Sequence, residues 1–224
     1  MLALALALGF TDGRGRLESA VMDQITALNG RPAPPDIAIV GIDDHSLARL
    51  GRWPWRRTVH AALIDQLDAA GARAIGLDII LDEPDTQHPR DDELLAEALR
   101  RSGRVVLPLR MAPRADAGAA WQASKPAPPF AAAAAALGHI HVELDPDGVA
   151  RSVFLREGAG GQWWDHFARA LRSAAGWTRP GEALPCIRRP VGPVSAWARD
   201  HWWQVPFSGP PGHVARWSYV DVLE

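Results

Sequence analysis

Apolar residues run without a break from Ile37 to Ile42, and again from Ala74 to Leu81 with only Asp78 interrupting. A run that does not alternate suits a strand covered on both faces, as in a parallel sheet between helices. The residues between these runs repeat at helical spacing. Thr58 can cap, Ala61, Leu63, Ile64 and Leu67 keep one face apolar, and Gly71 can end the helix in a left-handed turn. Placed in one sheet, the two strands imply a right-handed crossover. Each strand carries an acid, Asp43 at the end of the first and Asp78 within the second.

The pattern continues on both sides of this unit. Leu17, Val21, Ile25 and Leu28 mark a weakly amphipathic helix, and Gly30 to Pro35 is a Pro-rich linker. Leu47 to Leu50 reads as a helical turn closed by Gly51. Asp91 to Arg101 reads as a helix with Leu94, Leu95, Ala98 and Leu99 inward, ended by Gly103, and Arg104 to Met111 as a third strand. Ala112 to Pro129 is expected to be loop, and Phe130 to Leu137 an Ala-rich helix capped by Gly138. His139 to Leu155 reads as two strands around Asp145-Pro146-Asp147-Gly148, since Asp-Gly favours positive φ in a hairpin turn. Gly160-Gly161 marks a break, and Trp163 to Ala175 reads as a helix with Trp164, Phe167, Ala168 and Leu171 inward. Trp177 to Arg199 is irregular, Trp202 to Phe207 a strand, Ser208 to Gly212 a turn, and Ser218 the cap of a last helix. The fold class predicted is α/β: a mainly parallel central sheet, helices on both faces and a late antiparallel hairpin.

Composition narrows the function. Of 224 residues 47% are apolar, enough for a real core, and the formal charge of −2 supplies no basic field for nucleic acid. Lys125 is the single lysine among 24 basic residues, and ten Trp stand against one Tyr. Cys186 is the only cysteine, so neither an internal disulfide nor a thiolate cage can form. Met1 to Phe10 is apolar, but ten residues are too few to cross a bilayer, which takes about 20 in a helix. It is either the start of a hydrophobic helix or the end of a truncated membrane helix.

Motifs for known chemistry are missing. There is no GxGxxG, GxxxxGK[ST] or Gly-x-Ser-x-Gly. Asp43 and Asp44 end a strand as phosphatase acids do, but His45 and Leu47 break the haloacid pattern. Asp78, in an apolar run, is expected to be paired, to cap a helix or to face a ligand, because an isolated buried charge costs several kcal/mol. His139, His141 and Glu143 alternate onto one strand face, which reads as a half-exposed face and not a metal site. Asp145, Asp147 and Gly148 resemble part of a calcium loop without its bidentate Glu. No cofactor and no metal is expected.

IVGIDDHSLARLGRWPW, His60, AAGARAIGLDIILDEPD, LGHIHV, DPDGVARSVFL and the closing VPFSGPPG with SYVDVL occur in an order and spacing that resemble the type-two CHASE family. The likeness covers about Asp36 to Leu223. It implies an extracellular sensor module, tethered to a membrane and attached to a cyclase or kinase, with no catalysis of its own. Residues 1–10 are then the end of a membrane helix, 11–35 a juxtamembrane helix and linker, and 36–224 a sensor domain incomplete at its C-terminus. A homodimer is one arrangement open to it, and the stimulus is an unknown small molecule or ion. The competing reading is a small α/β metal-dependent hydrolase or phosphatase using Asp43 and Asp78. In open α/β sheets ligands collect beyond the carboxyl ends of strands. The candidate ligand-binding residues there are Asp43, Arg52, Trp53, Trp55, Asp78 and Glu83.

Overall fold

The computed structural model describes residues 13–28, 31–113, 121–178, 182, 184, 197–209 and 212–224. The expected membrane-helix end at 1–10 lies outside them. After helix α1 (Gly13–Leu28) come strand β1 (Ala38–Gly41), α2 (Asp44–Leu50), α3 (Arg57–Ala69), β2 (Ile75–Gly76) and α4 (Pro89–Ser102). Then follow β3 (Val105–Pro113), β4 (Trp121–Ser124), α5 (Pro128–Ala133), β5 (Ala136–His139), β6 (Ser152–Ala159) and β7 (Gln162–Asp165). The order closes with α6 (Phe167–Ala174), β8 (Ala198–Gln204), β9 (Ala215–Ser218) and α7 (Tyr219–Leu223). No helix of the described residues is long and apolar enough to cross a membrane.

The centre is a parallel sheet in which β2 and β5 both pair with β3, and β4 runs antiparallel along the outer half of β3. Val105 to Leu109 is buried at every position, as a strand covered on both faces requires. Ile75, Val105, Leu107 and Leu137 face a core built by α3, α4 and α5 around Ile64, Leu95, Leu99 and Phe130. Gly76 and Gly138 face the other way, onto Phe167, Ala170 and Leu171 of α6. Helices therefore cover both faces, as expected.

A second, antiparallel sheet has the order β7-β6-β8. Gly160 (φ 58°) and Gly161 (φ 82°) form the two-residue turn between β6 and β7, the left-handed pair such a hairpin needs. A bridge between His139 and His166 joins the end of β5 to the residue before α6, where the two sheets meet.

Several local expectations are corrected. The first two strands do not pair: β1 lies parallel to β9, and β2 joins β3. Ile39 (47%) and Trp217 (59%) of that outer pair are exposed, so the apolar run of β1 is covered on only part of its surface. Asp78 is exposed, not embedded, because the ladder of β2 ends at Gly76 and the chain beyond alternates, with Leu77 and Leu81 inward. Residues 121–124 form a strand where loop was expected. The Ala-rich helix stops at Ala133, and Gly138 lies within β5, since backbone pairing with β3 outweighs alanine's helix preference. Trp163 and Trp164 belong to β7 and not to a helix, and Ala168 and Leu94 point outward. The Asp145–Gly148 turn forms, closed by Gly148 N–H donating to the Asp145 carbonyl at 2.8 Å. Its arms are joined by the Asp145 N–H donating to the Val149 carbonyl at 3.0 Å and by the isolated Glu143–Ser152 bridge, so the long hairpin is absent.

Candidate functional site

The loop after β1 begins with a cap. Asp43 precedes α2, and its Oδ1 accepts from the Ser46 backbone N–H (2.9 Å), the Ser46 hydroxyl (2.7 Å) and the Ser218 hydroxyl (2.7 Å). These donors, those of Ser46 first, hold the carboxyl down at about 2. Ser46 also accepts from the Val220 N–H at 3.2 Å, so it caps α7 while Ser218, the residue at that helix start, turns to Asp43. Strand β9 brings Ser218 here by lying parallel to β1 in the register Gly41–Ser218.

The Arg-Trp segment comes next. Trp55 is buried, donates its indole N–H to the Gly51 carbonyl at 2.8 Å, and packs against Tyr219 with ring centres 5.0 Å apart. Trp53 stands edge-on to Trp55 at 5.4 Å and lies 5.6 Å from His60, with 37% of its surface exposed. His60 is wholly buried, and its Nδ1 is 2.7 Å from the Tyr219 hydroxyl. Burial, helped by the Arg57 charge, lowers this imidazole to about 4, and burial raises the Tyr219 hydroxyl well above its ordinary value. The pair is therefore neutral near pH 7.

The acids after β2 are mostly engaged. Arg56 makes a two-pronged pair with Asp91 at 2.8 and 2.9 Å, and Arg57 lies 3.5 Å from Asp92. Both acids sit in the first turn of α4, where the helix dipole favours negative charge. Asp92 also accepts from the Asp85 N–H at 2.8 Å. Asp85 in turn accepts from the His88 and Gln87 N–H groups at 2.9 Å each, which lowers its carboxyl. Asp82 pairs with Arg110 at 2.6 Å.

Of the six predicted residues, Trp53 and Trp55 are brought together, and Glu83 is linked through its carbonyl to Arg57 at 3.4 Å. Asp43 reaches the same loop only through Ser218 and Tyr219. Arg52 and Glu83 are exposed, and their side chains have no partner among the described residues. Asp78 is likewise exposed and stands alone. Sequence reasoning missed Ser46 and Tyr219, and read Ser218 as a helix cap without its link to Asp43. Their contacts with Asp43 and His60 span about 160 to 175 residues for the two later positions, so only a long-range pairing signal could have found them.

His139, His141 and Glu143 do not form one half-exposed face. His139 is wholly buried, His141 Nδ1 lies 2.6 Å from Glu157 Oε1, and Glu143 pairs with Arg199. Among the described residues no group of three or more His, Cys, Asp or Glu side chains could hold a metal ion. A serine, a histidine and an acid do meet at Ser218, His45 and Asp221. Both contacts of His45, each 3.5 Å, use the same Nδ1, whereas a proton relay needs one ring nitrogen for each partner.

The family model for the CHASE2 domain matches residues 1–224, the whole chain. No curated protein and no solved structure matches it. The chain belongs to the CHASE2 family, sensory extracellular domains of signalling proteins.

Proposed function

We propose that this domain is the extracytoplasmic input module of a membrane-bound signalling protein of the cyclase or kinase type, and that it performs no catalysis itself. The stimulus is a small polar or cationic molecule, or an ion, held beside Trp53, Arg52 and Glu83. The observation that carries this reading is the position of Trp53. Its ring is half-open to solvent, yet it rests on Trp55 and His60, which both pack on Tyr219 of α7. A ligand that covers the ring thus presses on a rigid aromatic stack ending in the last helix. Arg52 and Glu83, without a side-chain partner among the described residues, supply one charge of each sign, and an indole face attracts cations. A hydrolase reading finds less support, because Asp43 has one carboxylate oxygen filled by three donors and Asp78 stands alone.

Thermal-shift screening of small polar molecules and ions against the 224-residue chain tests the proposal. A stabilising compound is expected, and its effect should vanish in Trp53→Ala and in Glu83→Gln while both variants remain folded. Stabilisation that survives both substitutions would move the site elsewhere.

A further inference from the structure

A second polar cluster lies far from the Trp53 loop, where the two sheets meet. His139 ends β5 with its ring wholly buried, and neither ring nitrogen has a hydrogen-bond partner. The ring stands edge-on to His166, centre to centre 5.1 Å. His166 is anchored by its own N–H, which donates to the Leu155 carbonyl at 2.9 Å, and its Nδ1 accepts from Ala168 at 3.3 Å. Nearby, Glu157 is wholly buried. One of its oxygens is 2.6 Å from His141 Nδ1, and the other accepts from the Trp197 indole at 3.0 Å. Each oxygen thus already has a partner, and neither oxygen is hydrogen-bonded to His139.

The seam also has no slack. A Cβ built on Gly138 would stand 2.5 Å from the Phe167 Cα, so β5 and the first turn of α6 touch backbone to backbone. An imidazolium formed there could gain water only if the two elements separate. Burial, reinforced by His166 and His141, lowers His139 to about 3; the Phe154 backbone favours the charge but stands outside hydrogen-bonding geometry. His166 is also lowered, by burial first, with Glu157 opposing and His141 adding. The charged groups around the cluster are committed to one another. Asp165, at the end of β7, holds Arg156 of β6 and Arg169 of α6. Arg110 on β3 pairs with Asp82, Arg199 on β8 pairs with Glu143, and Asp200 on the same strand lies 3.5 Å from His201.

We propose that His139, His166 and His141, grouped around buried Glu157, form an acid-triggered latch: proton uptake at His139 or His166 opens the contact between β5 and α6 and loosens the antiparallel sheet from the parallel one. This makes the proton a stimulus of the domain. Its use in signalling rests on the sensor reading, but the opening itself does not. The closed seam binds fewer protons than the open one, whose imidazoles titrate near 6.5. The closed form is therefore fully favoured above that pH. As pH falls from about 6.5 towards about 3, the open population grows about tenfold per unit through His139, and His166, also lowered, adds in the same direction.

Amide hydrogen exchange on the 224-residue chain, expressed as protection factors between pH 7 and pH 4.5, tests the latch. Amides of 136–142 and 162–175 should lose protection by about tenfold per pH unit or more, while those of α3 and α4 keep theirs. His139→Phe should remove one proton from this dependence, leaving at most about tenfold per unit. Loss centred on α3 and α7 would place the acid response at His60 and overturn the proposal, as would an unchanged dependence in His139→Phe. If that variant does not fold, the imidazole resonances of the unaltered protein decide. His139 and His166 should stay neutral until the seam amides exchange, and titration near pH 6.5 with those amides protected refutes the latch. The exchange outcome turns on His139 and the seam, and the ligand-screen outcome on Trp53 and Glu83, so either proposal can fail while the other stands.

Discussion

Replacing Gly138 with alanine tests the close approach of β5 and α6. The added Cβ would lie 2.5 Å from Phe167 Cα, 2.9 Å from Phe167 N and 3.2 Å from Ala170 Cβ. The first two are backbone atoms, so no change of rotamer relieves the clash. Carbon atoms pack best at about 3.5–4.0 Å, and α6 would have to retreat by about 1 Å or more. Such a retreat would also draw Phe167 and Leu171 of the same helix off Gly76. Overpacking of this kind costs about 1–3 kcal/mol or more. For a domain of this size each kcal/mol lowers the melting temperature by about 2–4 °C, so a fall of about 2–12 °C is expected. Urea unfolding followed by tryptophan fluorescence and circular dichroism should show a lower midpoint with an unchanged slope. A second substitution separates close approach from turn conformation. Gly138 is not among the glycines with positive φ, so Gly138→Asn should be worse than alanine, whereas a left-handed helix cap would accept it. Alanine within about 0.5 kcal/mol of wild type, the scatter expected of a neutral site, would refute the reasoning.

Other substitutions probe the network behind the Trp53 loop. Tyr219→Phe removes the hydrogen-bond partner that buried His60 has among the described residues and should cost about 1–3 kcal/mol, measured by urea unfolding; an unchanged midpoint would deny the pair a structural role. Because His60 is lowered to about 4, the stability it confers is complete above pH 6.5 and declines as pH falls towards 4, and His60→Phe should flatten that part of a stability–pH curve. Asp43 behaves in the opposite charge sense with the same direction. Its carboxyl is lowered from 3.8 to about 2, so its contribution is present above 3.8 and is lost as pH falls through that window. Asp43→Asn should lower the melting temperature at pH 7 and abolish this acid-side slope; a variant that melts like wild type with the slope intact would contradict the cap.

Much of the fold was legible because burial on both faces leaves an apolar run that does not alternate, as in Val105–Leu109, and because glycines punctuate it. Gly71 and Gly103 do take positive φ after their helices. What failed failed for physical reasons. Ala136 to Gly138 has the local composition of a helix end, but its backbone pairs with β3, and tertiary pairing outweighs propensity. Trp163 and Trp164 follow so tight a turn at Gly160-Gly161 that they must return along β6, although their spacing also suits a helix. Asp78 looked embedded because Ile79 and Ile80 follow it, yet Ile80 is itself exposed. At the candidate site, the chain order alone placed Trp53 and Trp55 in one loop. It did not reveal that Trp55 closes the core on Tyr219, nor that Asp43 is occupied by Ser218, because those partners arrive from the other end of the chain. Glu157 was overlooked because it lies just past Leu155, where the strand was expected to end, and its partners His141 and Trp197 lie 16 and 40 residues away.

The central claim is that this domain receives a signal outside the cytoplasm. Gln87 is exposed in the loop before α4 and suits a single introduced cysteine, with Cys186 replaced. In intact cells that express the protein, a membrane-impermeant maleimide should label Gln87→Cys fully without lysis. Labelling that appears only after the cells are permeabilised would place the domain in the cytoplasm and contradict the account.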